Sequence, residues 1–168
     1  MLPNIVLFLG QDLNNDSDLW ETNGTGSGTF ELAVTGGDAE PVGLTPSGIM
    51  VLGGQVLFEG MDSSGDLGVW TTDGTALGTM ELTSIAGASS AGLAPSDLTV
   101  FGSDALFSGI DSNGQTGLWA TNGTAASTQE LTGIGGTASA GIAPTDLTVF
   151  GSEVLVSDRH AVGAALIA

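Results

Sequence analysis

LFLGQDLNNDSDLWETNGT at residues 7–25, LFEGMDSSGDLGVWTTDGT at 57–75 and LFSGIDSNGQTGLWATNGT at 106–124 are three versions of one pattern. A fourth version opens at Leu155 and breaks off after Val156. The starts are spaced by 50, 49 and 49 residues, and residues 57–105 match 106–154 at 30 of 49 positions. A period of that length marks a chain of similar modules, each burying its apolar face against the next. Residues 1–157 therefore read as one tandem-repeat β domain, with units near 7–56, 57–105 and 106–154 and a partial unit at 155–157. Residues 158–168 form a tail in which the pattern is lost and which carries the only Arg and the only His of the chain, Arg159 and His160.

Within the third unit the strand signals are short and evenly spaced. DLTVFG (97–102) and ALFSGI (105–110) flank a Gly-Ser turn, and GLWATN (117–122) follows a polar loop at 111–116. Asn122-Gly123 supplies residues that tolerate positive φ in a tight turn, and TQELTGI (128–134) makes a fourth strand. Four short strands in a unit of about 50 residues are the make-up of a propeller blade. The expected fold is all-β, a β-propeller-like array of about three four-stranded blades. Three blades fall short of the usual four to eight. Two chains would supply six, so a homodimer that closes the ring by sharing a strand across each junction is the expected partner arrangement. In that arrangement the C-terminal first strand (146–151) joins the N-terminal three, and residues 153–157 compete with 5–10 for one slot. The tail is expected to be loosely docked, or to cover an open sheet edge.

Charge excludes several classes of partner. Nineteen acidic residues face one Arg and no Lys, a formal net charge of −18. Binding a phosphate backbone or an anionic lipid surface needs clustered Lys and Arg, so nucleic acid and anionic membranes are not expected partners. The first ten residues, MLPNIVLFLG, lack a basic flank and a long apolar run, which fits neither a signal peptide nor a membrane span. With no Cys, disulfides and thiolate metal sites are excluded.

LWETNGTGSGT, VWTTDGTALGT and LWATNGTAAST resemble the ELWxxDGT-type repeats of large bacterial surface or secreted proteins, which often accompany hyalin-like or calcium-binding repeats. The resemblance reaches to about Val156. The chain departs from the pattern where Asp18, Gly68 and Gly117 replace Glu and where Ser127 replaces the second Gly. It implies propeller-like blades and an extracellular or cell-surface location, and it carries no general activity.

Candidate sites follow from the repeated positions. Asp12, Asn14, Asp16 and Asp18 alternate oxygen ligands along one loop, the arrangement that lets side chains converge on a hard cation such as calcium. An EF-hand match is partial, because Ser17 stands where Gly is needed and Asn23 where a bidentate Glu is needed. The later loops weaken the series, to Asp62, Ser64 and Asp66 and to Asp111, Asn113 and Gln115. An ordinary solvated turn is the competing reading. Trp20, Trp70 and Trp119, with Phe8, Phe58 and Phe107, fit packing between sheets; the alternative is a ligand role, each Trp offering its face to a sugar ring.

Glu31, Glu81 and Glu130 recur at one position. Repetition argues against catalysis, since a hydrolytic carboxylate pair needs two unlike environments. These three are expected to be solvated charges on an outer strand. Nucleophilic triads lack a Cys or a well-placed His, and GTGSGT (24–29) opens no helix, so it is not a phosphate loop. The expected function is a non-catalytic structural or interaction module, calcium-stabilised, acting in adhesion or assembly. The alternative is a lectin-like carbohydrate binder with one site per repeat.

Overall fold

A computed structural model describes residues 5–34, 43–134, 142–158 and 164–167. Among these residues the chain is all-β, with four antiparallel sheets, none of them closed. It divides into two compact units, Met1–Leu82 and Thr83–Ala168.

The first unit holds two sheets. β1 (Val6–Gln11), β2 (Ser17–Thr22) and β3 (Thr29–Glu31) form a three-stranded meander, with Phe8 opposite Trp20 and Leu9 opposite Leu19. β4 (Ser47–Leu52), β5 (Gln55–Met61), β6 (Leu67–Thr72) and β7 (Met80–Glu81) form a four-stranded one, with Phe58 opposite Trp70. Side chains alternate between the faces of a strand, and that alternation builds the core. Leu19 and Leu32 of the first sheet, Leu44 of the connection, and Phe58 and Trp70 of the second sheet form one buried cluster, with Leu7 and Val34 at its margin.

The second unit repeats the scheme. β8 (Ser96–Phe101), β9 (Asp104–Ile110), β10 (Thr116–Thr121) and β11 (Gln129–Glu130) form a four-stranded sheet with Phe107 opposite Trp119. β12 (Pro144–Phe150), β13 (Glu153–Asp158) and β14 (Ala164–Ile167) form a three-stranded one. Leu106 and Leu118 meet Val154, Val156 and Ile142 in its core, with Phe101 packed beside them.

The strands β4, β8 and β12, each the first of its sheet, carry a bulge. Register shifts between Ser47 and Met50, Ser96 and Thr99, and Thr145 and Thr148. At the shifted position Gly48, Asp97 and Asp146 have φ of 59°, 58° and 54°, a left-handed conformation that Gly and Asp adopt more readily than most residues. The following hairpins turn on Gly53, Gly102 and Gly151, all with positive φ, as two-residue hairpins of the II′ kind require.

Three expectations are corrected. The fourth strand is two or three residues long and does not run over 128–134. After one further ladder bond, from the amide of Leu32, Leu82 or Leu131 to the carbonyl of Leu19, Val69 or Leu118, the chain turns away. Ser84 at φ 60° and Gly133 at φ 74° end the extended run. The Asn-Gly turn is wider than a tight hairpin, because a 3-10 turn (Gly26–Gly28, Ala125–Ser127) intervenes before the last strand. At the C-terminus, β12 pairs with β13 of its own sheet, and tail residues 164–167 pair with β13 as β14, in line with a tail that covers a sheet edge and not with a loose one. Arg159, His160 and most of the connection in which the units differ in length lie outside the described residues.

Candidate functional site

The loops after β1, β5 and β9 are each closed by their first Asp. Asp12 Oδ1 accepts from the amides of Asn14 (2.8 Å) and Asp16 (2.9 Å), and Oδ2 accepts from Asn14 Nδ2 (2.9 Å). Asp62 does the same for Ser64 and Asp66, and Asp111 for Asn113 and Gln115. Short Asp side chains mimic a backbone turn in this way. The amide of Gln115, then the side chain of Asn113, hold the Asp111 carboxyl below its usual range.

The four residues expected to hold calcium are thus placed as follows. Asp12 and Asn14 bond each other, and Asp16 is buried beneath the loop at 7% exposure. Asp18 reaches out of the loop, its Oδ1 accepting the Leu44 amide at 2.9 Å. Among the described residues no group of three His, Cys, Asp or Glu side chains is placed to hold a metal ion. The Asp12 carboxylate serves the hairpin, and Asp18 latches the connection between two sheets.

The second candidate set divides in two. Trp70 and Trp119 are 1% and 0% exposed, and their Nε1 atoms donate to the carbonyls of Gly60 (3.0 Å) and Gly109 (3.2 Å). Each stacks with its Phe partner at interplanar angles of 22° and 20°. A Cβ at Gly60 or Gly109 would strike the indole, so the glycines make room for the ring. Trp20 is half-buried, tilted 36° from Phe8, and its buried Nε1 has no hydrogen-bond partner. Sugar stacking at one site per repeat is therefore corrected: Trp70 and Trp119 have no face to offer, and Trp20 alone retains one.

Glu31, Glu81 and Glu130 stand opposite Trp20, Trp70 and Trp119 in the ladders, each on its own sheet. Glu81 and Glu130 are half-buried and not simply solvated, their carboxyls lying over Gly68 and Gly117. Burial, then the nearby Asp62 and Asp66, push the Glu81 carboxyl up; burial, then Asp111, do so for Glu130. Two clefts have walls made of described residues. One, of about 330 Å³, is walled by apolar residues of β1, β4 and β5 and holds Asp73. The other, of about 240 Å³, holds Asp97. Each contains one carboxylate and no His, so neither assembles an acid and a base.

The Asn/Asp-Gly-Thr turn is capped by its first residue. Asp73 Oδ1 accepts from Thr75 Oγ1 (2.7 Å) and the Thr75 amide (2.9 Å), bonds that hold the Asp73 carboxyl below its usual range. Asn23 caps its turn in the same way. A Cβ at Gly28 or Gly78 would strike that side chain. Ser127 takes the equivalent place in the third unit because its hydroxyl joins the cap, donating to Asn122 Oδ1 at 2.6 Å.

Sequence reading missed Leu44, Leu93 and Ile142, which are 1%, 4% and 3% exposed. They sit inside connections that look like linkers. The carbonyls of Leu44 and Leu93 accept the amides of Met61 and Ile110, and both side chains approach the glycine beneath the Trp ring. The recurring Gly-Leu/Ile-x-Pro at 43–46, 92–95 and 141–144 was the available signal.

No protein-family model, curated protein or solved structure matches the chain.

Proposed function

We propose that the chain is a non-catalytic structural and interaction module of a bacterial extracellular or cell-surface protein, acting in adhesion or assembly. Its sheets serve as propeller-like blades, and its partner is a second copy of itself. The observation that carries this reading is the use to which the repeated polar residues are put. The Asp of each hairpin loop, the Asn or Asp of each Gly-Thr turn, and Asp18 are engaged in hydrogen bonds that shape the backbone. What is repeated is a packing unit. The resemblance to ELWxxDGT-type repeats supports the same location and role.

Calcium enters through the charge of −18: a divalent cation relieves repulsion among carboxylates more effectively than sodium. Nucleic acid and membrane insertion have no place in this reading. A sugar-binding role is confined to Trp20. Light scattering with and without millimolar calcium tests the proposal, and a chain that stays a monomer in both conditions overturns the self-association it requires.

A further inference from the structure

The same packing surfaces are sealed in some sheets and bare in others. In the first unit, the Phe58–Trp70 face of one sheet is fully buried by Leu19 and Leu32 of its neighbour, with Leu44. The corresponding face of the β1–β3 sheet carries Phe8 and Trp20, both half-buried, and Val6 at 62% exposure. Without a cover, the Trp20 ring is tilted and Nε1 has lost the carbonyl bond that Trp70 and Trp119 make.

The second unit shows the complementary case. The Phe101–Leu106 face of the β8–β11 sheet packs against Val154 and Val156. The corresponding face of the β12–β14 sheet carries Phe150, 70% exposed, and half-buried Leu155, with Leu166 at the register position opposite Leu155. One bare face is of the kind that receives a Leu-bearing sheet, and the other is of the kind that packs against a following sheet.

We propose that the Phe8–Trp20 face of one copy is covered by the Phe150–Leu155 face of a second copy, continuing between molecules the sheet-on-sheet packing seen within each unit. The proposal rests on the self-association reading above and names its surface. Made reciprocally about a two-fold axis, the contact is isologous and closes a dimer. Carboxylates on both faces, Asp18 and Glu31 on one and Glu153 on the other, stand in register with these apolar residues. The contact therefore tightens as salt screens them.

The test is solution mass by light scattering for the wild-type chain, Val6→Asp and Phe150→Asp. Both replaced side chains are exposed, so circular dichroism should be unchanged. Expected are twice the 16.6 kDa chain mass for the wild type, the monomer mass for each variant, and a red shift of Trp20 emission on dilution that is absent in Trp20→Phe. A dimer that both variants leave intact overturns this contact and spares the proposed function. A wild-type monomer overturns both.

Discussion

The clearest contrast between single residues is Trp70 against Trp20, one position of the repeat in two environments. Trp70 is sealed by four buried apolar neighbours and a Gly60 bond, and Trp20 is half-open with its Nε1 unpartnered. Truncating a buried Trp costs about 3–5 kcal/mol, and a half-exposed one proportionately less. Trp70→Ala should therefore lose about 3–5 kcal/mol in urea unfolding and Trp20→Ala less than half of that; equal losses would mean that the two sites are equally packed. Asp18 gives a second prediction. Its carboxylate accepts the Leu44 amide across 26 residues of chain, and hydrogen bonds to charged groups contribute about 1.5–3 kcal/mol. Asp18→Ala should destabilise by an amount near the lower end of that range, unchanged by EDTA. A loss that appears only with calcium present would return Asp18 to the role of metal ligand.

Elements were legible where their cause is local. The Phe and Trp strands, the polar loop from Asp111 and the positive-φ glycines follow from alternation and turn chemistry, and the structure places them within a residue or two. The fourth strand was overextended, because TQELTGI has strand-like composition while Gly133 at φ 74° breaks it. The buried connection residues Leu44 and Leu93 were missed because a single apolar residue among Gly, Ala and Pro has no periodicity to reveal it. The candidate calcium loop was legible as a loop, but not as one whose leading Asp is spent on its own amides, since ligand and turn signals use the same residues. Gly78 offers a test at this scale. A Cβ there strikes the Asp73 cap, and overpacking costs about 1–3 kcal/mol. Gly78→Ala should lower the melting temperature, while Gly78→Ser should cost less, since Ser127 already serves at the equivalent turn.

For the whole molecule, charge sets the pH response. Glu81 and Glu130 have carboxyls raised above the ordinary 4.5. The folded state then holds protons that the unfolded state has released, so these groups favour folding near and below pH 4.5 and lose that contribution as pH rises through their folded values. Asp73 and Asp111 are lowered from 3.8; their contribution is present above that value and is lost as pH falls through their folded values. With a net charge of −18 adding repulsion at neutrality, the melting temperature should rise from pH 7 to about 5 and fall below about 3.5. At pH 7 sodium chloride should raise it. A melting temperature that is flat in pH and salt would show that these carboxylates do not govern stability.

Self-association through repeated packing surfaces is the central claim, and solution mass against protein concentration, with and without calcium, tests it most directly. The account predicts twice the 16.6 kDa chain mass at micromolar concentration, strengthened by sodium chloride or calcium. A mass of 16.6 kDa that is indifferent to concentration, salt and calcium would contradict it.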